Sequence, residues 1–217
     1  MFIDETDLLK IKSLMRKETE PDCILKELIP FFYDTFKCRV YDYLCFTSPD
    51  GRLGFHFVVW DKEAKDSFYI RTENFYGLDR EKERLIKDFF SKLCIKYQMH
   101  PRYKDPSEYF ATPTDIYSDL ISELGQKTRE EIEAYLQTRS EVKKTATFFG
   151  SLHIFYETDK DIELNSQNGI SDDIIENIAK IRRKYDEFGI YEKKHIVFDS
   201  IQTLNEKYGG SFQYYFN

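Results

Sequence analysis

Apolar and polar positions alternate most sharply within residues 39–71. Leu53, Phe55, Phe57 and Val59 alternate with Gly54, His56, Val58 and Trp60, a period of two that predicts a strand with two distinct faces. Val40, Leu44 and Phe46 form a similar run before it. Ser48-Pro49-Asp50-Gly51 between them has turn chemistry: Pro presets φ, Asp bonds the backbone ahead, and Gly takes a left-handed position. Residues 61–66 read as a polar turn, and Phe68, Tyr69 and Ile70 as a third strand.

Elsewhere the period changes to that of helices. Residues 4–17 place Leu8, Leu9, Ile11, Leu14 and Met15 on one broad face. A second helix follows Pro21 and carries Ile24, Leu25, Leu28, Ile29, Phe32, Tyr33 and Phe36, with a kink or split expected at Pro30. Leu85, Ile86, Phe89, Phe90, Leu93, Cys94 and Tyr97 mark the clearest helix, with Asp79 as its N-cap. Three X-Pro pairs make residues 98–113 read as a connector. A short helix then ends at Gly125, and Thr128-Arg129-Glu130-Glu131 reads as a capping box opening another.

Residues 145–157 predict a strand with a break at Gly150, and Ile162 with Leu164 suggests a partner strand. Ser171 is placed to cap a long helix bearing Ile174, Ile178, Ile181, Tyr185 and Phe188, with Ile170 and Ile175 as a hydrophobic staple. The remainder reads as a strand over residues 195–198, a helix over 201–208 and a last strand over 212–216. Phe55, Phe57, Val59, Phe89, Leu93, Ile178 and Ile181 are the expected core.

This order predicts an α+β protein with antiparallel or mixed sheets packed on long amphipathic helices. It divides into 1–100, a connector at 101–113, and 114–217. The halves share an order of helices, strands and a long helix, and His56 and His153 fall 97 residues apart within matching strands. Two readings follow: an internal repeat, or one α+β domain whose connector falls near the middle.

Composition narrows the class. The 217 residues include 17% aromatics, with 19 Phe and 16 Tyr against one Trp, which suits a folded chain. A net charge of −7 argues against a general nucleic-acid or anionic-membrane surface. The acidic first residues lack the apolar core of a signal peptide, and no apolar run reaches the ~20 residues needed to span a bilayer. Cys23, Cys38, Cys45 and Cys94 have no CxxC spacing, so four reduced thiols and a cytoplasmic setting are expected.

Motifs for chemistry are sparse. There is no HExxH, no zinc-type cysteine pair and no GxSxG elbow. A metal site from His56, His100, His153 and His195 would need the halves to bring them together, and ordinary core or surface histidines are the simpler account. Asp42 with Glu63-Ala64-Lys65 is similar to the acid-then-ExK layout of metal-dependent nucleases, although a turn is the wrong setting for it. Gly209-Gly210-Ser211 precedes a predicted strand, whereas phosphate loops precede a helix. No cofactor, metal ligand or catalytic residue is assigned.

Charge is uneven. Residues 109–217 carry 13 Lys/Arg against 19 Asp/Glu, net −6. Within residues 157–176, Glu157, Asp159, Asp161, Glu163, Asp172, Asp173 and Glu176 are accompanied by Lys160 alone. Asp172 and Asp173 suit a helix N-terminus. All seven acids are candidates for a partner-binding surface, with Tyr156 as the neighbouring aromatic anchor.

The tail, Phe198-Asp199-Ser200 through Tyr208-Gly209-Gly210-Ser211-Phe212-Gln213-Tyr214-Tyr215-Phe216, resembles the endings of bacterial immunity proteins of polymorphic-toxin systems. The resemblance covers about twenty residues and points to no single family. It implies a cytosolic acidic α+β protein that binds and neutralises one cognate toxin, such as a nuclease or another toxin with a basic cleft, without contacting nucleic acid or membrane itself. The competing readings are an enzyme with a dispersed active site, nuclease or hydrolase, and an interaction module with no inhibitory role.

Overall fold

The computed structural model describes residues 3–72, 75–148, 151–191 and 196–216. The chain divides into two compact units, residues 1–119 and 120–217, and the class is α+β. No described helix is long and apolar enough to cross a membrane.

The first unit opens with helices α1 (Glu5–Met15) and α2 (Cys23–Phe36). Asp22 caps α2 by accepting from the Ile24 and Leu25 amides. Pro30 neither splits nor ends α2: Leu28 and Phe32 on either side are fully buried, and that burial offsets the lost backbone bond. Strands β1 (Asp42–Thr47) and β2 (Leu53–Val59) form the expected hairpin, with Gly51 at φ 80° in its turn.

The third strand of this sheet differs from expectation. Residues 61–66 form a short helix, α3 (Lys62–Asp66), capped by Asp61. Strand β3 (Tyr69–Thr72) pairs with β4 (Phe75–Leu78) rather than with the sheet. Helix α4 (Arg80–Lys96), capped by Asp79, is a crossover that returns the chain to β5 (Tyr109–Asp115), parallel to β2. Part of the expected connector is therefore a strand. Its Pro113 is tolerated because β5 is an edge of the order β1-β2-β5.

Leu53, Phe55, Phe57 and Val59 pack with Leu25, Leu28, Phe32, Ile86, Phe90 and Leu93 in one core. Phe90, rather than Phe89, is the fully buried ring of α4; Phe89 is half-buried and stacks on Phe31 at 3.9 Å.

Helix α5 (Tyr117–Gln137) runs unbroken through Gly125. Thr128 is no cap: it is buried, and its hydroxyl donates to the Leu124 carbonyl one turn back. The second unit continues with the hairpin β6 (Lys144–Phe148) and β7 (Ser151–Tyr156), then α6 (Asp159–Gln167), α7 (Ile170–Arg183), β8 (Ile196–Ser200), α8 (Ile201–Tyr208) and α9 (Phe212–Tyr215).

The structure departs from the sequence expectation at three further points. Ile162 and Leu164 lie on helix α6, not on a strand. The N-cap of α7 is Gly169 at φ 74°, and Ser171 is buried within the first turn, against the Tyr156 hydroxyl at 3.0 Å. Phe212, Tyr215 and Phe216 use i, i+3, i+4 spacing to face the sheet, so residues 212–215 are a helix and Tyr214 is left 68% exposed.

The two sheets share strand order, direction and register. Order β6-β7-β8 repeats β1-β2-β5, antiparallel then parallel. Phe46 opposes Gly54 as Phe148 opposes Ser151, and His56 lies between Leu44 and Thr112 as His153 lies between Ala146 and Val197. One face of each sheet carries the core; in the second unit that core joins Leu152, Ile154 and Tyr156 to Ile174, Ile178, Ile181, Ile132 and Leu136.

Candidate functional site

The acidic stretch begins where β7 ends. Glu157 is exposed, while its carbonyl accepts from the Gln202 amide at 3.1 Å. Thr158 and Asp161 form a reciprocal capping box at the start of α6: Asp161 Oδ2 accepts from the Thr158 amide at 2.9 Å, and Thr158 Oγ1 accepts from the Asp161 amide. Asp159 accepts from the Ser200 hydroxyl and, at 2.9 Å, from that of Thr203. These bonds to the ionised form, Ser200 first, pull its carboxyl below the usual range. Asp159 and Asp161 thus help hold the fold of this corner.

On α7, Asp173 pairs with Arg139 at 2.8 Å and accepts from Asn177 Nδ2 at 3.0 Å. Asp172 is exposed in the same first turn, and Glu176 is half-buried further along. Glu163 is exposed on α6.

Tyr156 cannot serve as the surface anchor. It is fully buried, stacked on Phe198 and bonded to Ser171. The exposed apolar residue of this corner is Leu164, at 46%. A strand would place Ile162 and Leu164 on one face; a helix separates them by about 200°. Ile162 accordingly packs on the core and Leu164 points outward beside Glu163.

A second feature was absent from the sequence reading. The outer face of β1, β2 and β5 borders a hollow of about 540 Å³ lined by Phe46, Pro49, His56, Lys65, Tyr69, Phe110 and Thr112, among others. The Phe46 ring lies flat over Gly54, where a Cβ would overlap it, and stacks on the His56 imidazole at 4.3 Å. His56 Nδ1 is 2.7 Å from the Thr112 hydroxyl, while its Nε2 is screened from water and unpartnered. Burial moves the His56 pKa down from 6.5, which favours the neutral ring. Lys65 lines the hollow from α3 with its ammonium paired to Asp115 at the end of β5.

The other sequence candidates are not brought together. Asp42 is buried with Lys10 at 2.8 Å and Lys65 serves Asp115, so the acid and the lysine of the nuclease-like pattern each have a structural partner. His100 accepts from the Arg102 amide, His153 meets the Tyr215 hydroxyl, and His195 lies outside the described residues. No group of three or more His, Cys, Asp or Glu among the described residues is arranged to hold a metal ion. Compared with protein-family models, curated proteins and solved structures, the chain matches none.

Proposed function

We propose that the protein works by binding another protein, as a cytoplasmic immunity protein that neutralises a cognate bacterial toxin. The observation that carries this reading is the exposed corner of the second unit, where Leu164 stands beside Glu163 on α6, with exposed Glu157 before that helix and Asp172 after it. An exposed apolar side chain with exposed acids before and after it along the chain suits a partner surface that is basic around a small apolar recess. Lys160 is the only cation of residues 157–176. The resemblance of the tail to immunity proteins supplies the class of partner; the corner supplies a place for it to bind. The charges steer encounter and fix register, and Leu164 contributes the buried contact.

The test pairs the protein with the product of the adjacent gene. Co-purification and relief of that product's toxicity are expected. Glu157→Lys, Glu163→Lys and Asp172→Lys together should slow association and flatten its salt dependence with dissociation little changed, and Leu164→Asp should speed dissociation. No binding to the neighbouring product overturns the function. Binding unaffected by all four substitutions overturns this site alone.

A further inference from the structure

The outer faces of the two sheets are one surface finished in two ways. In the second unit, Gly209 and Gly210, at φ 59° and 75°, turn the chain back after α8, and α9 lies over the sheet. Phe216 stacks on Phe148 at 4.4 Å and meets His153 edge-on at 4.8 Å. The Tyr215 hydroxyl is 3.2 Å from His153 Nδ1 and donates to Asp199 at 2.8 Å. In the first unit, β5 leads into the 21-residue α5, which makes no such reversal. The matching positions, Phe46, His56 and Thr114, border the open hollow instead.

We propose that this hollow is a binding site for a phenolic ring, seated over His56 as Tyr215 and Phe216 are seated over His153. Phe46 supplies a stacking face, as Phe148 does for Phe216, and Phe110 stands edge-on to it at 5.6 Å. Tyr69 forms part of the far wall. A hydroxyl both donates and accepts, so it satisfies His56 Nε2 in either tautomer once the incoming ring displaces Phe46 from the imidazole. Lys65 is already neutralised by Asp115, which favours a neutral phenol over an anion. About 540 Å³ holds a ring and the group that carries it, within the usual range of ligand sites. The phenol is a small molecule or a tyrosine side chain on a peptide, and both present the same chemistry. This site is built from residues of the first unit and the acidic corner from residues of the second, so its failure leaves the toxin-binding reading untouched.

Nuclear magnetic resonance of the histidine rings in the full chain tests it, because His153 is a reference already covered by Tyr215. Three probes are titrated: N-acetyltyrosinamide, N-acetylphenylalaninamide, and the peptide Ser-Phe-Gln-Tyr-Tyr-Phe-Asn matching residues 211–217. Saturable movement of His56 signals with His153 unmoved is expected. Response to the tyrosine amide identifies a small phenol; response to the peptide alone identifies a peptide-borne tyrosine. Phe110→Ala should weaken binding about tenfold while leaving the His153 signals in place. No saturable movement of His56 with either tyrosine probe overturns the site, equal movement of both histidines overturns its location, and equal affinity for the phenylalanine amide overturns the role of the hydroxyl.

Discussion

The Phe90 ring of α4 stacks on Phe55 of the central strand at 3.9 Å, and both are fully buried. This contact fixes the register of the helix on the sheet. Phe90→Ala should therefore cost about 3–5 kcal/mol, the usual range for emptying a buried Phe site. Phe89→Ala should cost clearly less, since Phe89 is only half-buried. Urea denaturation of the two variants gives the comparison; a larger loss for Phe89 would place the wrong face of α4 inward.

Gly125 lies within helix α5, has an ordinary negative φ, and an added Cβ there would meet nothing within 4 Å. Gly125→Ala should raise stability by about 0.5–1 kcal/mol. A helix that ended at Gly125 in the left-handed region would be weakened by the same change. The sign of the shift in melting temperature separates the two.

Burial holds His56 and His153 below the ordinary pKa of 6.5. Their protons bind more tightly to the unfolded chain, so their contribution is complete above 6.5 and is lost as pH falls from there toward the folded values. Unfolding free energy should rise as pH is raised from the folded values toward 6.5 and level off above it, and His56→Asn should flatten that rise. An unchanged slope in the variant would show His56 to be as readily protonated when folded as when unfolded.

The four cysteines are unpaired. Cys23 is exposed at the start of α2, whereas Cys94 is fully buried and its thiol is pushed up to about 12. A maleimide should label Cys23 first and Cys94 only on unfolding, with all four reacting in denaturant. Mass spectrometry of the labelled protein reads the order directly.

Asp161 and Glu163 lie two residues apart on α6 with opposite duties. Asp161→Ala removes half of the capping box and should cost about 1 kcal/mol. Glu163→Ala, at an exposed position, should leave stability nearly unchanged. Thermal unfolding of the pair checks this, and similar losses would remove Glu163 from the binding surface.

The β1-β2 hairpin and helices α2 and α4 were legible in the sequence because they depend on local pattern. Ser48-Pro49-Asp50-Gly51 between two alternating runs could be little else, and Asp79 does cap α4. The misreadings share a different cause: a distant neighbour decided the outcome. The 109–113 segment looked broken by proline until an edge position beside β2 made Pro113 acceptable. Ser171 has the chemistry of a cap but is held by Tyr156, and Phe212-Gln213-Tyr214-Tyr215-Phe216 alternates like a strand yet folds where two glycines aim it at His153. At the candidate corner, the acids were visible as composition. Their division into capping, pairing and exposed roles was not, because it turns on α6 being a helix. The hollow over His56 was invisible for the same reason, since it joins β1, β2, β5 and α3.

In both sheets the central strand has one partner close by in sequence and one far away: Phe55 pairs with Cys45 across the hairpin and with Ala111 on the parallel side. Hairpins close in about 1–10 μs, whereas pairing across a long crossover must first meet the entropy of closing that loop. Docking of β5 and β8 is thus the slow step in assembling each unit. Until it occurs, one edge of β2 and of β7 presents unpaired backbone flanked by large apolar side chains, a template for another chain. Loss of material during production should track the time spent in that half-built state. Slower synthesis at lower temperature, or substitutions that strengthen the α4 and α7 crossovers, should recover more protein than changes to the finished surface.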